Sequence, residues 1–301
     1  MSDGDAAANE LQSFYSDLTS LDRRPEGVRY RARLFDGTAV IVTVLAPALT
    51  HRVRAPNEFL SAMRAVGDLP GQVAPRIRLV DRTASGLLHF ATEARDSDPI
   101  EPGSMRGADL ARFGAALADS LHTAHKAGVV HGCITTERLG YRDAKPHLDG
   151  LGLVHALYAG GLNKADATLA LADSAYVAPE VVAGGDPDVG ADVYGLGAAL
   201  YELLTGKAPY GGRTTSYVMA TLLSDEEAAE SEKGTGPVVD AVLRAIETKP
   251  GDRWPDAAAF ARALSAARSA GDTDATARAG CLSRVVGVGL LLAAVAALAV
   301  R

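Results

Sequence analysis

Apolar positions change their period along this chain, and the change divides it. Arg29-Tyr30-Arg31-Ala32-Arg33-Leu34-Phe35 alternates, Asp36-Gly37 is a hairpin signal, and Ala39 to Leu45 is a β-branched run. Two antiparallel strands around a turn are therefore expected from Tyr30 to Leu45. Phe59, Leu60, Met63 and Val66 then fall at helical spacing within Asn57–Leu69, and strand-like pieces follow at Arg76–Asp81 and Leu87–Thr92. Past residue 105 the spacing becomes helical. Leu110, Phe113, Leu117, Leu121 and Ala124 predict a long amphipathic helix stopping near Gly128. Val193, Leu196, Leu200, Leu203 and Leu204 predict a second, ended by Gly206. Pro255, taken as a first helical residue, opens a third over Phe260 and Leu264. A small strand-rich part thus precedes a larger helical one, an α+β two-lobed arrangement without internal repeat. Residues 1 to about 12 are small, polar and aperiodic, which predicts a solvated tail. Asp225–Lys233, with five acids and one Lys, reads as a solvated face.

Composition narrows the function classes. The 48% hydrophobic content excludes a disordered chain, and a net charge of −7 argues against a protein that neutralises nucleic-acid phosphates. Cys133 and Cys281 are too few and too far apart for a disulfide framework, and the acidic N-terminus is no signal peptide. A reducing cytoplasm is the expected compartment. The C-terminus departs from the average, because residues 285–300 carry no charge. Cys281 to Val300 spans ~30 Å as a helix, the thickness of a bilayer core. Arg284 in its first turn can snorkel, and Arg278 and Arg284 suit the cytoplasmic side. A single-pass anchor at 281–301 follows, behind a polar linker at 269–280. Gly289, Ala293 and Ala297 form a small-residue ladder that would allow a homodimer. Thr273 and Thr276 lie beside acids as candidate phosphate acceptors.

Several motifs resemble the large lobe of prokaryotic, eukaryote-like Ser/Thr protein kinases. Leu121 to His131 resembles the end of that family's long helix entering its catalytic loop, and Ala178-Pro179-Glu180 its Ala-Pro-Glu motif. Asp192-Val193-Tyr194-Gly195-Leu196-Gly197 resembles the buried central helix, and Lys249 to Pro255 the late Arg-containing turn. The resemblance implies a bilobal kinase-like fold, with a tail at 1–20, a small lobe at 21–95 and a large lobe at 96–268. It also implies structural roles: a buried Glu180–Arg253 pair, Asp192 bracing the catalytic loop, and His131 packed in the same spine.

The chemical positions depart from the family. Phosphoryl transfer calls for a Lys on the phosphates, a Glu holding it, Mg²⁺ ligands, and an Asp on the hydroxyl. Thr43 stands at the strand Lys and Ala62 at its Glu partner, with Glu58 one turn earlier. Cys133 stands at the catalytic Asp, Thr135 at the loop Lys, Arg138 at the metal-binding Asn, and Gly150 at the Asp of Asp-Phe-Gly. Of the phosphate-covering Gly-rich loop only Gly27 remains, with Arg23 and Arg24 upstream. Asp149 could replace the metal carboxylate by a one-residue slip, but strand alternation is expected to turn it away from the cleft. Glu137 and Asp143 are further recruits without a partner. Cys133 is expected to be an inert filler. The reading is a membrane-anchored pseudokinase with no metal, no required cofactor and no phosphoryl transfer. It would serve as a scaffold or allosteric partner of an active kinase or membrane enzyme. Metal-free binding of ATP or a phosphopeptide at Arg138 stays open, and the alternative is an atypical active kinase with rearranged catalytic residues.

Overall fold

The computed structural model describes residues 9–67, 69, 76–94, 98–142, 144–209 and 236–271. Its small lobe is one antiparallel sheet of β1 (Ser16–Arg24), β2 (Gly27–Arg33), β3 (Ala39–Leu45), β4 (Ile77–Arg82) and β5 (Leu88–Glu93), in the order β1-β2-β3-β5-β4. Between β3 and β4 lie a short helix α1 (Pro47–Thr50) and the longer α2 (Pro56–Gly67). The β2–β3 register pairs Tyr30 with Val42 and Arg29 with Thr43. Alternation then sends Val40, Val42 and Val44 to the outer face, while Leu45, Leu88 and Phe90 join the core shared with the large lobe. Helix α2 buries Phe59, Leu60, Met63 and Val66, the four positions its spacing marks.

Two features of this lobe depart from the sequence reading. The expected polar tail gives way at residue 9, because Leu11 and Tyr15 are buried on the outer face of the sheet. Tyr15 Oη lies 3.0 Å from His89 Nδ1 and the Phe14 ring packs on the same imidazole, while Glu10 accepts from Ser85 N and Oγ at 3.0 and 2.9 Å. An apolar sheet face needs a cover, and no other described element supplies one here. Strand β1 carries no alternation to read, since as an edge strand it exposes nearly every side chain.

The large lobe opens with β6 (Asp98–Pro99) and the long α3 (Gly107–Lys126), which ends where Gly128 takes a left-handed φ of 77°. A 3₁₀ turn at Thr136–Arg138 leads into β7 (Leu139–Arg142) and β8 (Lys145–Leu148), which with β6 form a three-stranded sheet. Helices α4 (Leu153–Ala159), α5 (Lys164–Leu171) and α6 (Pro179–Val182) precede α7 (Val189–Thr205), the buried centre of the lobe. Asp188 caps α7 through Ala191 N at 2.9 Å, and Gly206 ends it at a φ of 81°. Helices α8 (Pro237–Ala245) and α9 (Ala257–Gly271) close the lobe, α9 lying along α3. Pro255 is not the first residue of α9. Asp256 caps the helix by accepting from Ala259 N at 2.6 Å, which puts Pro255 outside the cap.

Among the described residues no helix is long and apolar enough to cross a membrane. The span at 281–301 with its ladder, Cys281, Thr273, Thr276, Asp143 and the acidic stretch Asp225–Lys233 lie outside the described residues.

Candidate functional site

The catalytic-loop region hangs from one carboxylate. Asp192, buried on the first turn of α7, accepts from His131 N through Oδ2 and from Gly132 N through Oδ1, both at 2.7 Å, while His125 Nε2 lies 2.8 Å from Oδ2. His131 Nε2 is 3.1 Å from the carbonyl of Asp149, and its Nδ1 accepts from Cys133 N at 3.3 Å. Those partners fit a neutral ring with the proton on Nε2. Burial agrees, bringing the His131 pKa down to about 4. The same burial pushes the Cys133 thiol up to about 12, so it is no thiolate nucleophile at neutral pH.

At the base of the lobe Arg253 forks onto Glu180, with both N–O distances 2.7 Å. Its remaining donors reach the carbonyls of Glu247 at 2.7 Å, Thr248 at 3.0 Å and Gly190 at 3.3 Å, and its guanidinium stacks on Tyr194. One side chain thus joins α6, α7 and the late turn.

The cleft between the lobes holds a second fork. Arg138 is 3% and Glu26 4% exposed, and they pair at 3.1 Å (Nη1–Oε1) and 2.8 Å (Nη2–Oε2), with Nη2 also 3.3 Å from the Leu171 carbonyl. Burial pulls the Glu26 carboxyl upward, and the charge and hydrogen bonds of Arg138 outweigh it, holding it below its ordinary value. Two glycines make room. A β-carbon at Gly150 would stand 2.6 Å from Arg138 Nη1, and one at Gly27 only 1.8 Å from the Val44 carbonyl. Both also have positive φ, 91° and 155°, which L side chains rarely adopt.

Around this fork the structure gathers some predicted residues and leaves others outside. Thr43 is buried on β3 opposite Arg29. Arg29 is itself bonded to Asp22, through Nε–Oδ1 at 2.6 Å and through Nη2 to Oδ2. Arg24 is mostly buried, and burial followed by the charges of Arg29 and Arg138 depresses its pKa. Asp149 lies within electrostatic reach of Arg24, Arg29 and Arg138. Its Oδ1 lies 3.7 Å from His147 Nε2, one residue beyond the end of β8 at Leu148. Glu58 is exposed on α2 and takes no part, and Ala62 packs against the core. A cavity of about 130 Å³ opens beside the fork, lined by Arg24, Thr135, Glu137, Arg138, Asp173 and Tyr176. Thr136 and Tyr176 both donate to Glu202 of α7 behind it. Sequence reasoning missed Glu26, Asp22 and Arg29, because only the β1–β2 hairpin brings them over the cleft.

The segment from Gly152 to Ala178 is folded against the small lobe. Helix α4 packs on α2, the Gly160 carbonyl accepts from Arg54 N and Ala55 N at 2.8 and 3.0 Å, and Arg52 pairs with Asp166 at 2.9 Å.

Comparison with known proteins agrees with this architecture. The sequence model described as "Protein kinase domain" matches residues 87–253, more than half of the chain. Serine/threonine-protein kinase PknJ of Mycobacterium tuberculosis is 33% identical over 197 residues, covering 62% of this chain and 33% of that protein. Serine/threonine-protein kinase PknK of the same species is 30% identical over 265 residues, covering 83% of this chain and 23% of that protein. The chain thus spans a third or less of the length of these relatives. The crystal structure of the M. tuberculosis PknI kinase domain superimposes with a TM-score of 0.60 at 18% identity, covering 84% of this chain and 96% of that one. At that identity the likeness speaks for the bilobal fold alone. The expectation that the chain is not an enzyme is overturned by the family match and by relatives named as serine/threonine-protein kinases, which point to an enzyme. By the match over residues 87–253, this chain belongs to the protein kinase domain family.

Proposed function

We propose that the chain is an atypical Ser/Thr protein kinase whose cleft uses arginines where the strand Lys and metal ligands are missing. The carrying observation is the cavity lined by Arg24 and Arg138 beside a catalytic loop braced by Asp192, with Asp149 in electrostatic reach of both arginines. In this reading ATP is the phosphoryl donor. The arginines hold its phosphates, and Asp149 accepts the proton of the attacking hydroxyl as the terminal phosphoryl group moves to that oxygen and ADP leaves. The full chain incubated with γ-labelled ATP and a Ser/Thr-rich test protein, with and without Mg²⁺, should label serine or threonine, and Asp149→Ala should abolish labelling. Wild-type protein that leaves the substrate unlabelled under both conditions sinks this reading.

A regulatory role is favoured by a different observation, the occupation of the Arg138 fork by Glu26. In that reading the domain acts as scaffold or allosteric partner of a second kinase or a membrane enzyme. The apolar stretch 281–301 would hold it at the membrane and pair two copies through Gly289, Ala293 and Ala297. Membrane fractionation of the full chain against one ending at residue 270, with crosslinking in the membrane, tests both points. Equal partition of the two rejects the anchor.

A further inference from the structure

We infer that Glu26 is an internal ligand of the cleft: its carboxylate fills an anion site formed by the Arg138 guanidinium and keeps the β1–β2 hairpin shut in the absence of nucleotide. A guanidinium fork donates to two carboxylate oxygens or two phosphate oxygens with the same geometry. Here both N–H groups of that fork, Nη1 and Nη2, are spent on Glu26, which lies 112 residues earlier and in the other lobe. The pair is almost wholly buried, so it is not a chance surface contact.

The surroundings are shaped for it. Gly150 leaves the space that Arg138 Nη1 enters, and the Leu171 carbonyl takes a second bond from Nη2. The hairpin itself is seated, since Ala46 N donates to the Glu26 carbonyl at 2.7 Å and Gly27 lies under the Val44 carbonyl with no room for a side chain. Arg138 and Gly150, which read in sequence as two separate departures, therefore form one unit with Glu26.

Cationic capacity remains around that unit. Arg24 Nη1 and Arg138 Nε are buried without a partner, and both residues line the cavity that opens beside the fork. Glu137 and Asp173 in the same lining set acidic limits on what enters. A phosphate-bearing ligand gains the Arg138 fork only by displacing Glu26. The affinity of the cleft for phosphate is accordingly set by the hairpin, and the half of this inference that concerns ATP rests on the kinase reading above.

The test uses the full chain in detergent, without nucleotide. Hydrogen exchange of the peptide covering residues 22–30 should be slow in wild type and about tenfold faster in Glu26→Gln. Pyrophosphate and metal-free ATP should bind Glu26→Gln about tenfold tighter than wild type, and adding Arg138→Ala should remove that gain. Unchanged exchange, or faster exchange with unchanged pyrophosphate affinity, overturns the inference. Should Glu26→Gln impair folding, pyrophosphate is titrated into wild type. Exchange of the same peptide should then rise as the anion displaces Glu26, and a flat response rejects the idea. Faster exchange and tighter pyrophosphate binding without any phosphoryl transfer would leave this inference standing while the kinase reading falls.

Discussion

Two Arg–Glu forks, one at the base of the large lobe with Glu180 partly exposed and one buried between the lobes, share a chemistry and differ in what they join. Arg253 and Glu180 tie together elements of a single lobe, and Arg253 also donates to three backbone carbonyls. Arg138 and Glu26 join two bodies, serve one carbonyl, and leave Arg138 Nε unpartnered. A fork embedded in several saturated bonds is architecture. A fork that bridges two lobes with donors to spare is a closure that a competing anion can open.

The comparison breaks most visibly at the base. Arg253→Ala should cost up to ~5 kcal/mol, because it removes the partner of Glu180 and a buried donor to three carbonyls together. Urea unfolding followed by circular dichroism would show it, and a loss near zero would contradict the architectural reading. In the cleft, Arg138→Ala should cost ~3–4 kcal/mol by leaving Glu26 buried and alone. The sharper contrast lies in the paired replacements. Arg138→Met with Glu26→Met should return to within about 1 kcal/mol of wild type, whereas Arg253→Met with Glu180→Met should not. Similar urea midpoints for the two double variants would erase the distinction.

Acid separates the two regions further. The folded pKa of His131 lies near 4, below the ordinary 6.5, so the unfolded chain takes up its proton first. Its contribution is full above about pH 6.5 and is lost, to roughly 3 kcal/mol, as pH falls toward 4. Glu26, held below its ordinary value, adds a loss only as pH falls below about 4.5. Urea midpoints should therefore drop between pH 6.5 and 4; burial holds the His89 pKa near 4 as well, so His131→Asn should make that limb shallower without removing it. The smallest expected effect is Asp188→Ala, about 1 kcal/mol for the lost cap of α7. It should leave exchange in the β1–β2 hairpin unchanged.

Much of the fold was legible because burial imposes a period. The four buried positions of α2 and the stripe of α3 are one-sided patterns that a sequence displays directly. β1 escaped because an edge strand with exposed side chains has no pattern to display. The residues around 9–15 read as tail because their apolar members matter only against a sheet face that the chain builds later. In the cleft, the departures at Thr43, Cys133, Arg138 and Gly150 were visible against a motif. What replaced them was not, since Glu26 acquires its meaning through a partner in the other lobe.

The seat of Arg138 in the space left by Gly150 couples three positions that lie far apart in the chain. A β-carbon at position 150 would meet the guanidinium at 2.6 Å, so an aspartate placed there alone would collide with Arg138. An asparagine placed alone at position 138 would strand the Glu26 carboxylate. Neither change is accommodated singly, and relatives that share one of Glu26, Arg138 and Gly150 are expected to share all three.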